Sequence, residues 1–192
     1  MKTLNRKNVL ISSLFLGCLG LGAHVTPANA REFKVVSEVL KPHKKMSEKQ
    51  VFNGFGCKGE NISPDLRWTG APEGTRYFAV TLFDPDAPTG SGWWHWVVLN
   101  IPKTVDHLPL GASNSDSPAL PLGAIETRTD FGKAGYGGPC PPVGNKSHRY
   151  IFTVYALKDV VPLDKEAPGA MAGFYLNQLK LGEAKLEVNY GR

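Results

Sequence analysis

Five stretches rich in β-branched and aromatic residues, 33–38, 76–83, 93–101, 149–157 and 185–190, are separated by clusters of Gly, Pro, Asn, Asp and Ser. Such residues fit a pleated, half-buried surface, and the intervening clusters are turn-formers, so each stretch reads as a strand. The segment 171–181, with Ala, Leu and Gln following Pro168-Gly169, is the one convincing helical stretch. Strands in this number bury their apolar faces most simply as two facing sheets. The expected architecture is mainly β: a two-sheet antiparallel β-sandwich with Greek-key connections and one or two peripheral helices. The segment 102–147 is too long for a plain connection, and its Gly/Pro/Ser content reads as a functional or rim-forming loop held near Cys140.

The first thirty residues stand apart from this pattern. Lys2, Arg6 and Lys7 precede an apolar run from Val9 to Leu21, and Ala28-Asn29-Ala30 offers a small-x-small cleavage signal. A secretory leader over 1–30 and a single domain over 31–192 are expected, with cleavage near Ala30 and a periplasmic or secreted product. The apolar run is shorter than the roughly 20 residues of a spanning helix, so no stable membrane insertion is expected. Cys18 after Leu16-Gly17 offers a lipoprotein alternative, with Phe15 an unusual neighbour for it. The leader carries three of the 22 basic and none of the 17 acidic residues, which leaves 19 against 17, a net charge of +2. So small a balance argues against a nucleic-acid partner.

Outside the leader two cysteines remain, Cys57 and Cys140. An even number in an oxidising compartment is expected to pair, which would tie two Gly/Pro-rich loops together. Zinc ligation would need a spacing such as C-x-x-C, which the sequence lacks.

Four polar residues sit in stiff surroundings. Asp84 and Asp86 lie in Asp84-Pro85-Asp86-Ala87-Pro88, where each proline fixes its own φ and restricts the residue before it. By itself this is also what an ordinary Asp/Pro turn looks like, its carboxylates bonding nearby amides. His95 lies in a strand whose alternation places it on one face with Trp93, Val97 and Leu99. A histidine there is more often a core residue than a ligand-binder, but an aspartate-bearing turn one hairpin away could fix its tautomer. Gly137-Gly138-Pro139-Cys140-Pro141-Pro142 cannot be helical and allows close backbone approach to a ligand. His148 opens the next strand.

The order and spacing of Asp84-Pro85-Asp86-Ala87-Pro88, of His95 with its following Val-Val-Leu-Asn, of the Gly/Pro loop and of His148-Arg149-Tyr150 resemble the phosphatidylethanolamine-binding proteins, also called Raf kinase inhibitor proteins. The bacterial exported branch is the nearer likeness, through Gly54-Phe55-Gly56-Cys57, Asn61-Ile62-Ser63-Pro64, Asp130-Phe131-Gly132, Gly138-Pro139-Cys140-Pro141-Pro142 and Tyr190-Gly191-Arg192. The resemblance covers nearly all of 31–192. It implies a small pocket for phosphate-like or carboxylate anions, such as a phospholipid head group, lined by Asp84, Asp86, His95, Gly138, Pro139, His148 and Tyr150. The cysteine within Gly-Pro-Cys-Pro-Pro departs from the eukaryotic loop and leaves open which proline meets the ligand.

An anion beside two aspartates meets like charge. The expected remedy is that the aspartates favour protonated histidines, which act with backbone donors on the anion. No cofactor or metal is expected. Two other readings are a metal-dependent hydrolase, for which two Asp and two His are chemically adequate, and a protein-partner inhibitor of protease- or kinase-inhibitor type using the 102–147 loop. Gly54-x-Gly56-x-x-Gly59 imitates a dinucleotide fingerprint without the helix that must follow. Gly90-Ser91-Gly92 lacks the G-x-S-x-G elbow of a hydrolase.

Overall fold

The computed structural model describes residues 31–113 and 119–192. The leader expected over 1–30, with Cys18, lies outside the described residues. The strands run β1 (Lys34–Val36), β2 (Asn53–Gly54), β3 (Cys57–Lys58), β4 (Leu66–Thr69), β5 (Tyr77–Asp84), β6 (Trp93–Pro102), β7 (His107–Leu108), β8 (Ile125–Glu126) and β9 (His148–Leu157). Helix α1 (Gly169–Leu179) and strand β10 (Lys180–Tyr190) complete the chain. All five anticipated strands form. The helix sits two residues earlier than expected because Lys180 is already extended and opens β10, opposite Leu157.

The five-stranded sheet has the order β10-β9-β5-β6-β8 and the three-stranded sheet the order β1-β4-β7, with antiparallel pairing throughout both. The short β4 and β7, which were not anticipated, supply two of the small sheet's three strands. β7 and β8 also mean that the long 102–147 segment is partly ordered into both sheets. The sheets share one core: Val35, Leu66, Trp68 and Leu108 meet Phe78, Val80, Leu82, Phe152, Val154 and Leu186. The opposite face of the large sheet, through Ala79, Val97 and Leu99, packs against Ala172 and Leu176 of α1. Alternation along β5 explains the two faces, since successive strand residues point to opposite sides. Gly169 and Gly173 let α1 rest on the Trp94 ring, where a Cβ on Gly169 would lie 2.4 Å from the indole.

The strict alternation expected along β6 fails at two places, opposite Phe78–Val80 and opposite Leu82–Phe83 of β5, and the second bears on the site. Leu82 pairs with Trp96 and Phe83 with Trp94, so two residues of β6 are spanned by one step of β5, and His95 is the extra one. This β-bulge turns His95 to the side of Trp96 and Val98, where its ring meets Tyr150, away from Val97 and Leu99, which face the helix. Bulges recur beside functional sites, where the local bend and added twist re-aim a side chain.

Cys57 and Cys140 form a disulfide across 83 residues of sequence. It joins the β2–β3 hairpin to the loop that precedes β9.

Candidate functional site

Asp84 ends β5, Trp93 and His95 begin β6, and His148 and Tyr150 begin β9. Antiparallel pairing in the order β9-β5-β6 brings these termini to the same end of the sheet, where Asp84 is opposite Trp93 and Phe83 opposite Ile151. A cavity of about 200 Å³ opens there. Its floor contains Asp84, His95, His148 and Tyr150, and its walls include Phe55, Phe131, Trp93, Pro88, Cys140, Pro141 and Pro142. The four floor residues are 0 to 4 % exposed.

Each imidazole is fixed by a different acceptor. His148 Nδ1 lies 2.8 Å from Asp84 Oδ2, while the other Asp84 oxygen accepts the Asp86 N–H at 2.8 Å. His95 Nδ1 lies 2.8 Å from the Gly137 carbonyl oxygen. A carbonyl can only accept, so this nitrogen carries the hydrogen and Nε2 keeps a lone pair. The aspartate anticipated as the partner of His95 therefore serves His148, and a backbone carbonyl takes its place. Burial in the site pushes the His95 pKa down to about 4, against the opposing pull of the Gly137 bond and the Asp84 charge. His95 is neutral at pH 7, a correction to the expectation of two protonated histidines.

Tyr150 Oη and Trp93 Nε1 are buried with no hydrogen-bond partner within 3.5 Å among the described residues, although the Asp84 carboxylate lies close enough to the tyrosine hydroxyl to act on it. Both residues border the cavity. Burial first, and then the Asp84 carboxylate through its charge and its approach to the hydroxyl, raises the tyrosine pKa, so the hydroxyl keeps its proton and remains a donor. A buried donor left without a partner costs about 1 to 3 kcal/mol, which an acceptor placed in the cavity would recover.

Asp86, Gly138 and Pro139 stand outside the cavity wall. Asp86 instead grips Arg149, accepting from its backbone N–H at 2.9 Å and from its guanidinium at 2.9 and 2.7 Å. That bond holds the Asp86 carboxyl down to about pH 2, and it ties the turn after β5 to the residue between His148 and Tyr150. The Gly138 N–H donates to Asn61 Oδ1 at 2.8 Å, and a Cβ on Gly138 would fall 1.9 Å from the Gln50 carbonyl oxygen. Gly138 serves close backbone packing, and its amide is not free for an anion. The Pro139 carbonyl accepts from Phe52 N–H. From the Gly/Pro loop it is Cys140, Pro141 and Pro142 that reach the cavity. With proline on either side, Cys140 carries the one backbone N–H of 139–142.

The aromatic walls had no individual signal in strand periodicity, although Phe55 and Phe131 lie within the motifs quoted above. Phe131 stacks on Phe52 with centroids 4.4 Å apart and meets Trp93 and His95 edge-on at 5.4 and 5.3 Å. Asp130 sets its position, bonding Trp94 N–H at 2.7 Å through its carboxylate and Trp94 O through its own amide. Phe55 is 68 % exposed and has φ of 51°, followed by Gly56 at 82°. Positive φ at both central positions is the geometry of a tight hairpin turn, but a bulky residue is rare at the first of them. Arg192 braces this corner by donating to Pro141 O at 2.6 Å and to Phe55 O at 3.3 Å. Among the described residues, no three or more His, Cys, Asp or Glu gather where they could hold a metal ion.

Fold and site together define a class: antiparallel two-sheet domains with a small, acid- and imidazole-floored cavity at one end of the larger sheet. The model of the phosphatidylethanolamine-binding protein family matches residues 39–191, and the chain belongs to that family. It is 51% identical over 164 residues to the UPF0098 protein YbcL of Escherichia coli, covering 85% of this chain and 90% of YbcL. It is 50% identical over 158 residues to E. coli YbhB, covering 82% of this chain and 99% of YbhB. The crystal structure of YbcL, described as a new member of the mammalian PEBP family, superposes with a TM-score of 0.82 over 84% of this chain and 99% of that one.

Proposed function

We propose that this protein is an exported binding protein whose cavity captures a small oxyacid group, phosphate-like or carboxylate, including one carried on a phospholipid head group. The observation that carries this reading is Tyr150, a fully buried residue that borders the cavity and whose hydroxyl has no partner within 3.5 Å among the described residues. An oxygen-rich ligand supplies the missing acceptor, with Trp93 Nε1 as a second donor. Asp84, His95, His148 and Tyr150 are the residues assigned to contact; Asp86 and Gly138 act by positioning them.

Binding without catalysis is supported by the state of the wall's nucleophile candidates. The Thr89 hydroxyl donates to Gly92 O at 2.5 Å, and Cys140 is held in the disulfide. Export is supported by that disulfide, by the leader-like first thirty residues, and by likeness to LppC of Mycobacterium tuberculosis, named a putative lipoprotein and 36% identical over 132 residues. No helix among the described residues is long and apolar enough to cross a membrane.

The test is an NMR titration of inorganic phosphate and of acetate at pH 6 into wild type and Tyr150→Phe. Saturable shifts centred on His95 and His148, weakened about tenfold or more by loss of one hydrogen bond to a charged group, are expected. Failure of both anions to saturate the wild type would refute capture.

A further inference from the structure

Phe55 holds a backbone conformation that phenylalanine rarely adopts. Gly54 pairs with Cys57, so Phe55 and Gly56 are the two central residues of the β2–β3 hairpin, and both have positive φ, 51° and 82°. Glycine takes that region freely. A bulky residue in it is strained, and such strain persists only where the surroundings over-determine it, often at ligand clamps.

The Phe55 ring stacks on Phe131 with centroids 5.8 Å apart and tilts against Phe52 at 5.5 Å. The disulfide anchors Cys57, two residues on, to Cys140. Its sulfurs carry no hydrogen and donate nothing to the Phe55 carbonyl; Arg192 does. Arg192 Nη2 donates to Phe55 O at 3.3 Å and Nε to Pro141 O at 2.6 Å, while Arg192 O accepts the Gly144 N–H at 3.2 Å. One planar fork thus links two residues of the cavity wall, although Arg192 is exposed and does not itself line the cavity. The wall it fixes is apolar. Phe55, Phe131, Pro141 and Pro142 carry no charge, and Phe55, 68 % exposed, stands at the rim above the buried polar floor. An oxyacid group held on that floor leaves its organic substituent at the rim, beside this wall.

We infer that Arg192 is a positioning residue for the cavity: through the carbonyls of Phe55 and Pro141 it keeps the Phe55 ring at the rim, where that ring meets the organic substituent of a captured oxyacid. The inference rests on the capture reading above and names the part of the ligand that the polar floor does not touch. The ligand class is an oxyacid ester bearing an apolar group, and free phosphate gains nothing from this corner.

Calorimetric titration at pH 7 with inorganic phosphate, phenyl phosphate and monomeric dihexanoyl phosphatidylethanolamine tests it. The proteins are wild type, Phe55→Gly, Arg192→Ala, Arg192→Lys and the Phe55→Gly/Arg192→Ala double variant. Glycine accepts the positive φ of residue 55, so Phe55→Gly removes the ring and keeps the turn. Phe55→Gly and Arg192→Ala should each weaken ester binding about three- to tenfold, the worth of one aromatic contact, and leave phosphate binding unchanged. The double variant should lose no more than Phe55→Gly alone, because Arg192 acts through that ring. Arg192→Lys, which keeps the charge but loses the fork, should behave as Arg192→Ala. In the free protein, nuclear Overhauser contacts between the Phe55 and Phe131 rings should weaken in both Arg192 variants.

Loss confined to the phosphatidylethanolamine assigns the substituent to a lipid, and loss for phenyl phosphate as well extends it to soluble esters; either outcome supports the inference. Additive losses in the double variant, full recovery by lysine, equal losses for phosphate and esters, or unchanged ester binding in Arg192→Ala would each overturn it while leaving capture intact. If none of the three probes binds the wild type, the capture reading itself is removed. Arg192→Lys decides the matter should Arg192→Ala fail to fold.

Discussion

Asp84 Oδ2 and His148 Nδ1 meet at 2.8 Å across 64 residues of sequence, both almost completely shielded from water. The contact joins the end of β5 to the start of β9 and points the remaining nitrogen of His148 away from its carboxylate. Because the other Asp84 oxygen accepts the Asp86 amide, the aspartate orients an imidazole and the following turn together. Removing one member of a buried pair leaves the other without compensation, which is why the pair is a sensitive probe of the site.

Asp84→Asn should lower stability by about 1.5 to 3 kcal/mol, the usual worth of a buried hydrogen bond to a charged group. Urea unfolding monitored by tryptophan fluorescence measures it. The capture reading also requires weaker phosphate binding in the variant, read in the same titration as for Tyr150→Phe.

His95 should remain a neutral Nδ1–H tautomer at pH 5.5, visible in long-range proton–nitrogen correlation spectra as a pyridine-like Nε2. Its folded pKa, about 4, lies below the ordinary 6.5. The unfolded chain therefore binds the proton more readily, so stability present above pH 6.5 is lost as pH falls toward 4, at a slope of no more than about 1.4 kcal/mol per pH unit. His95→Gln should flatten that window. An unchanged acid slope in the variant would assign the loss to other groups.

Asp86 behaves in the same direction but in a lower window. Its folded pKa of about 2 lies below its ordinary 3.8 because of Arg149, so its contribution is complete above pH 4 and is lost as pH falls through 2. Asp86→Asn should remove this dependence. Comparing urea midpoints of wild type and variant at pH 5 and pH 2.5 checks it, with a modest difference expected for so exposed a pair.

The disulfide closes 83 residues, and the chain-entropy model assigns about 4 to 5 kcal/mol to a loop of this size. The Cys57→Ser/Cys140→Ser double variant should therefore unfold at clearly lower urea. It should also free the Phe55 and Pro141 walls, detectable as broadened or shifted resonances of these residues at pH 7. A variant as stable as wild type would deny the bond its structural role.

Gly138→Ala should be among the most damaging small substitutions available. The added Cβ would meet the Gln50 carbonyl oxygen at 1.9 Å, and backbone must move to admit it. A loss of about 1 to 3 kcal/mol or more is expected from overpacking of this kind. Thermal unfolding measures it, with Gly144→Ala, which lies in open space at positive φ, as the control for backbone strain alone.

Much of this molecule was legible in its residues. The β-branched and aromatic runs define the central strands β5, β6 and β9 because strand preference depends on side chains meeting a flat, half-buried surface, a local property. The Asp84, His95 and His148 motifs declared the family for the same reason, being short and stiff. Two cysteines in an exported-looking chain were enough to anticipate their pairing. What periodicity missed was short: β4 and β7 are four and two residues long, too brief to show alternation and held by partners rather than by propensity.

The sequence by itself determined which residues are stiff, which are apolar and which carry chemistry, because those properties belong to single side chains and their near neighbours. The tertiary structure alone decided how they are spent. The bulge that turns His95 exists only because β6 has a residue to spare opposite Leu82–Phe83 of β5, and the choice of Gly137 for His95 and Asp84 for His148 follows from the meeting of distant segments. The same long-range packing sends the Gly138 amide to Asn61, turns Asp86 to Arg149 and buries Tyr150 beside a cavity. Hydrogen-bond partners are settled by what burial places within three ångströms, and no local pattern encodes that distance.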